Sequence, residues 1–191
     1  KIEIAESRSA DGVKIETKAP KDWGRGGAEV KYYVKIPAGV KVRAHTQNGG
    51  IRLIGISNEV VASTVNGGVQ GDGLTGAVEA TTTNGGIDLA LGAVADGGVK
   101  AETVNGGIVV AVPRDAKADI SARVVNGGLS AGDLPIQTSG QQNRRRLEGK
   151  LNGGGPRIAI GAVNGGVRLA GKGPKTKPPA INDSHGAPRS R

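Results

Sequence analysis

The chain has 191 residues, with 34 Gly, one Trp, two Tyr and no Phe, Met or Cys, so disulfide frameworks and thiol chemistry are excluded and a core of large aromatics cannot be built. One domain is the default at this length. The net charge of +9 is segregated: residues 1–141 carry 15 basic and 15 acidic side chains, whereas residues 142–191 carry 11 basic side chains and two acids, Glu148 and Asp183.

Residues 1–41 precede a repeat and hold all three aromatics, Trp23, Tyr32 and Tyr33. Lys1–Ser7, Gly12–Thr17 and Glu29–Ile36 alternate like strands. Repeat stacks need covered ends, so this region is expected to be an N-terminal β cap with the aromatics packed inside it. Stacking on sugar rings is the alternative role for those rings.

The repeat is marked by seven Asn-Gly-Gly triplets, at Asn48, Asn66, Asn84, Asn105, Asn126, Asn152 and Asn164. The first four intervals are 18, 18, 21 and 21 residues. Such steps supply φ > 0 at little steric cost and mark tight corners. Aligned on the Asn, the chain falls into columns. Val42, Val60, Val78, Val99, Ile120 and Ile158 stand six residues before it, and Ala44, Ala62, Ala80, Ala101 and Ala122 four before. Thr46, Thr64, Thr82 and Thr103, then Val124, stand two before. Ile51, Val69, Ile87, Ile108, Leu129 and Val167 stand three after. Intervening columns are mixed and polar, as in strands with one apolar face. All length variation falls at the corner opposite the Asn.

These features predict an all-β chain: a β-solenoid with coils of about 18–21 residues turning at the Asn corners. A β-meander or sandwich of hairpins is the alternative. In a stack, the Asn side chains would form a hydrogen-bonded ladder. The solenoid is expected over 42–170, regular over 42–131, with an insertion at 132–151 and the coils resuming after it. Within the insertion, Gln141–Leu151 is the one helix candidate. Residues 171–191 form a basic Pro/Gly-rich tail whose composition predicts disorder, unless a neighbouring copy of the chain holds it.

The segment Tyr32-Tyr-Val-Lys-Ile-Pro-Ala-Gly, the corners Thr46-Gln-Asn-Gly-Gly and Thr64-Val-Asn-Gly-Gly, and Leu151-Asn-Gly-Gly-Gly carry a resemblance. Over residues 28–170 the chain resembles a family of bacterial cell-envelope proteins classed as adhesins, a domain of unknown function. The resemblance implies a β-solenoid-like, extracytoplasmic, non-enzymatic domain, hence an extracellular or cell-envelope location. It transfers no catalytic residue.

Motifs for chemistry are weak. The two histidines, His45 and His185, have no zinc spacing. No nucleophile elbow occurs. Gly71-Asp-Gly-Leu-Thr-Gly76 matches the dinucleotide fingerprint by letter, but a strand pattern follows it where a helix is required. Gly67–Asp72 approaches a calcium-binding nonapeptide, with Gln70 in place of the required Gly and no tandem copy. The acids Asp72, Glu79, Asp88, Asp96 and Glu102 scatter over different columns. No catalytic, cofactor or metal site is expected, so the chain reads as no enzyme.

Two functions are expected instead. One is a structural or adhesive protein that self-assembles into surface filaments by end-to-end stacking and tail exchange. The other is a module binding anionic glycans or other envelope polyanions through Arg144, Arg145, Arg146, Lys150, Lys172, Lys175 and Lys177. Nothing signals specific nucleic-acid binding, because no aromatics interleave with these cations. No apolar run is long enough for a transmembrane segment, and no signal peptide is visible in the chain.

Overall fold

A computed structural model describes residues 3–9, 12–18, 30–132, 134–139 and 143–172. The chain divides into two compact units, Lys1–Ile36 and Pro37–Arg191. In the first, β1 (Glu3–Ser9) and β2 (Gly12–Lys18) form an antiparallel hairpin, in register from Glu3 with Lys18 to Ser9 with Gly12. The strand expected at Glu29–Ile36 is absent from its described part, residues 30–36. Alternation defines a strand's faces, but a strand also needs an edge to receive its N–H and C=O groups. Tyr33 is 92% exposed, which corrects its expected packing in a cap, and Trp23 lies outside the described residues.

The second unit is built from coils that each give one strand to each of two sheets. Four follow in chain order: β3 (Val42–Asn48) with β4 (Ile51–Ile54), β5 (Val60–Asn66) with β6 (Val69–Leu74), β7 (Val78–Asn84) with β8 (Ile87–Leu91), and β9 (Val99–Asn105) with β10 (Ile108–Pro113). Then come β11 (Ala118–Asn126) with β12 (Leu129–Ser130), two short strands β13 (Ile136–Thr138) and β14 (Arg146–Leu151), and a last coil, β15 (Arg157–Asn164) with β16 (Val167–Lys172).

The expected columns are the register. Val60 pairs with Val78, Ala62 with Ala80 and Thr64 with Thr82, all in parallel strands. Parallel pairing requires a full coil between partners, and a hairpin loop cannot supply it. The solenoid reading therefore holds and the meander does not. Strand residues alternate buried and exposed, and both sheets feed one core of Val, Ile, Leu and Ala, including Val60, Ala80, Ile87, Leu89 and Ile108. Gly71 breaks the aliphatic column, and Leu74 occupies its place: a Cβ on Gly71 would overlap the Leu74 side chain. The register shift between Asp72 and Leu74 allows this.

The coils do not stack in chain order. The larger sheet runs β13-β14-β11-β15-β9-β7-β5-β3, and the smaller β12-β16-β10-β8-β6-β4. The last coil lies between the fourth and the fifth. Ile158 pairs with Val99 on one side and Ile120 on the other. This corrects the expected succession, in which coils simply resume after an insertion.

The insertion also differs from expectation. Where a helix was predicted over Gln141–Leu151, the described part holds β14, antiparallel to β11 on one side and to β13 on the other. Its alternation of exposed Arg146, Glu148 and Lys150 with buried Leu147 and Leu151 is strand-periodic. The free edge of β11 satisfies its backbone, which outweighs helix propensity. Leu134, Leu147 and Leu151 thus enter the core at this end of the stack.

Candidate functional site

The corners form a continuous line of carboxamides on the surface. Asn66 Nδ2 donates to Asn48 Oδ1 at 2.8 Å, Asn84 to Asn66 at 2.9 Å and Asn105 to Asn84 at 2.9 Å. Asn164 then donates to Asn105, and Asn126 to Asn164, both at 2.9 Å. Parallel, in-register strands set identical side chains one strand spacing apart, about 4.8 Å, which one carboxamide bond spans. Asn152 stands outside the ladder. With φ at 49°, it closes a turn after β14 and donates to the carbonyls of Arg114 and Ala116, both at 2.8 Å.

Beneath the ladder lies a buried row of threonines. Thr64, Thr82 and Thr103 donate to the carbonyls of Gly49, Gly67 and Gly85 in the preceding coil, at 3.0, 2.9 and 3.0 Å. The row stops where the last coil is threaded in, for Ala162 and Val124 occupy those places. From the second ladder corner onward, the first glycine lies directly against that of the preceding coil. A Cβ on Gly67, Gly85, Gly106, Gly165 or Gly127 would overlap a carbonyl of the neighbouring coil, so only glycine fits.

Beside the ladder, Val65, Val104, Val163 and Val125 are exposed. The next outward column, three before the Asn, includes Thr81, Glu102, Gly161 and Arg123. Gly161 lacks a side chain, which leaves a shallow groove between Glu102 and Arg123, lined also by Thr81, Val104 and Val125. Chain order conceals this groove, because Gly161 meets both walls only through threading.

The expected cations divide. Arg144 and Arg145 lie in the turn leading into β14 and have no carboxylate partner among the described residues. Their carbonyls accept Leu129 N–H and Val124 N–H at 2.9 and 2.8 Å, closing the exposed side of the Asn126 corner. Arg146 is paired with Glu148, its Nη2 2.6 Å from Oε1. Lys150 sits opposite Asp119 in the β11–β14 register. Lys172 is elsewhere, on β16, with Nζ 3.2 Å from Asp72 Oδ1. Lys175 and Lys177 lie outside the described residues, as does His185.

His45 Nδ1 is 2.6 Å from Ser63 Oγ in the next coil. Ser63 was not singled out from the sequence, although both residues share one column 18 positions apart. The pair is exposed on an outer sheet face, and no carboxylate is hydrogen-bonded to the imidazole among the described residues. Two other groups are tuned by neighbours. A hydrogen bond from Lys41, together with its charge, holds the Glu59 carboxyl below its ordinary range. Hydrogen bonds from Lys100 first to Glu79 and then to Glu102 raise the lysine above its ordinary range. All of these groups are surface pairs. No group of three or more His, Asp or Glu side chains that could hold a metal occurs among the described residues.

The profile of the Toastrack DUF4097 family matches residues 7–170. That span includes β2, every ladder asparagine and the coils as far as Ala170 in β16. The chain belongs to the Toastrack DUF4097 family. Its function is not known from that membership, which supports a β-rich repeat-like fold. No curated protein and no solved structure matches the chain. No helix among the described residues of this Toastrack chain is long and apolar enough to cross a membrane.

Proposed function

We propose that the protein is a non-catalytic, extracytoplasmic structural or adhesive element that associates with copies of itself through the β3–β4 edge of its stack. The observation that carries this reading is the asymmetry of the two ends. Among the described residues, β3 pairs only with β5, and β4 only with β6. At the other end, antiparallel β14 and β13 follow β11, and the outermost strands β13 and β12 are only three and two residues long, too short to template much pairing. An unpaired edge is a template for strand addition, and two identical edges can pair about a two-fold axis. One long edge supports pairing of copies, while filaments would need a second sticky edge or exchange of the tail beyond Lys172.

Val42 N–H donates inward to Glu59 O, so the alternate residues Arg43 and His45 direct their backbone groups to the free edge. Arg43→Pro removes an edge donor without touching the ladder to β5. Light scattering across a concentration series, with electron microscopy of the same samples, is expected to show association by the parent chain and its loss in Arg43→Pro. A parent chain that stays monomeric at the highest concentrations would sink the reading.

A second reading is binding of anionic glycans or other envelope polyanions at the opposite end. It is favoured by Arg144 and Arg145, which have no carboxylate partner among the described residues. Binding to an acidic polysaccharide that weakens with salt and is lost in Arg144→Ala/Arg145→Ala would support it. Unchanged binding in that variant would refute it.

A further inference from the structure

We infer that Asn126-Gly127 is a site of spontaneous covalent modification, deamidation through a succinimide, from which the other ladder corners are protected by the stack itself. The chemistry is local. The Gly127 nitrogen gives up its proton to a base in solvent and bonds to Asn126 Cγ. That bond closes the ring; a proton returns from solvent to Nδ2, the Cγ–Nδ2 bond breaks and ammonia leaves. Water opens either ring carbonyl and leaves an aspartyl or isoaspartyl residue. Glycine after the asparagine favours the step because no Cβ hinders the approach.

Protection depends on where each corner's backbone N–H goes, because a donated proton is harder to remove and its nitrogen cannot turn toward Cγ. The donations run one way along the stack. Gly49, Gly67 and Gly85 N–H donate to the carbonyls of Asn66, Asn84 and Asn105, each at 2.9 Å. Gly106 N–H donates to Asn164 O and Gly165 N–H to Asn126 O, also at 2.9 Å. Each of these five corner glycines is thus tied to the coil that follows it in space, and the final ladder corner, at Asn126, has no coil to follow. Arg145 O and Arg144 O take the N–H groups of Val124 and Leu129 on either side, and Gly127 N–H has no acceptor among the described residues. Asn126 Nδ2 is held by Asn164, but its Oδ1 receives no donor in the ladder.

The site follows from the threading. Stacking in chain order would leave Gly165 as the last corner glycine, whereas the observed order leaves Gly127. Asn152-Gly153 is the other corner whose glycine N–H has no acceptor among the described residues, but the Asn152 carboxamide is pinned by two carbonyls and cannot swing toward Gly153 N. A modified Asn126 would carry a carboxylate beside the Arg144–Arg145 turn, changing the charge of this end of the stack.

The experiment is peptide mapping by mass spectrometry after incubation in warm, mildly alkaline buffer. The folded chain is compared with the same chain unfolded in urea, where all seven Asn-Gly steps are free to react. In the folded chain, Asn126 is expected to deamidate roughly tenfold or more faster than Asn66, Asn84, Asn105 and Asn164, the ratio set by freeing one backbone N–H. In urea the difference is expected to vanish. A folded-state rate at Asn126 as slow as those corners would overturn the inference, as would Asn164 or Asn152 reacting first.

Discussion

Asn164 donates its carboxamide to Asn105, 59 residues upstream, across 2.9 Å. That single bond places the last coil inside the stack, with Asn126 on its other face. The chain therefore completes the stack by filling a gap between β9 and β11. The segment that would be an end by chain order is an interior layer.

Hydrogen exchange tests this order directly. Strands with ladder partners on both sides exchange through the larger openings, whereas edge strands fray. Amides of β15 and β16 are expected to exchange more slowly than those of β3 and β4. The reverse ranking would place the last coil at an end.

The corner glycines are expected to tolerate no side chain inside the stack. Gly85→Ala sets a Cβ against the Gly67 carbonyl and is expected to cost about 3 kcal/mol, at the upper end for overpacking. A Cβ on Gly49, in the first coil, approaches nothing closer than Thr46 Oγ1 at 3.7 Å. Its φ of 142° still makes alanine unfavourable, but by a smaller amount. Chemical denaturation of the two variants gives the comparison, and equal losses would contradict the packing account.

The threonine row can be tested in both directions. Thr82→Val removes the buried donor to Gly67 O and is expected to destabilise by about 1–2 kcal/mol. Ala162→Thr places a hydroxyl in the row where the threaded coil lacks one, with Thr103 and Val124 of similar size on either side. It is expected to stabilise by about 1 kcal/mol. Urea unfolding midpoints read both changes, and a neutral Thr82→Val would show that the hydroxyl contributes nothing.

The two tuned ion pairs predict opposite pH limits. Glu59 has a lowered pKa when folded, so its contribution is present above its ordinary value of 4.5 and is lost as pH falls through the depressed one. Lys100 has a raised pKa when folded, so its contribution is present below its ordinary 10.5 and is lost as pH rises through the raised one. Both pairs are at the surface, so the effects are small and weaken with salt. Thermal melts into the alkaline range are expected to show a steeper loss for the parent chain than for Lys100→Gln. Parallel curves would remove the Lys100 contribution.

The sequence by itself determined the repeat, the corners, the inward columns and the side-chain register, because each follows from local rules. Asn-Gly-Gly permits the turn, period-two alternation defines the faces, and equal spacing aligns Val60 with Val78 and Asn66 with Asn84. Even the interruption of the threonine row was visible, as Val124 in a column of threonines. Only the tertiary structure decided which coils are neighbours. Coils with the same corner and the same apolar columns are nearly interchangeable as partners, so their order depends on how the strand edges are shared out among them. Folding settles that by antiparallel β14 occupying one edge of β11 and β15 the other. For the same reason the Gly161 groove and the unprotected corner at Asn126 come from the order of the coils, which no local pattern specifies.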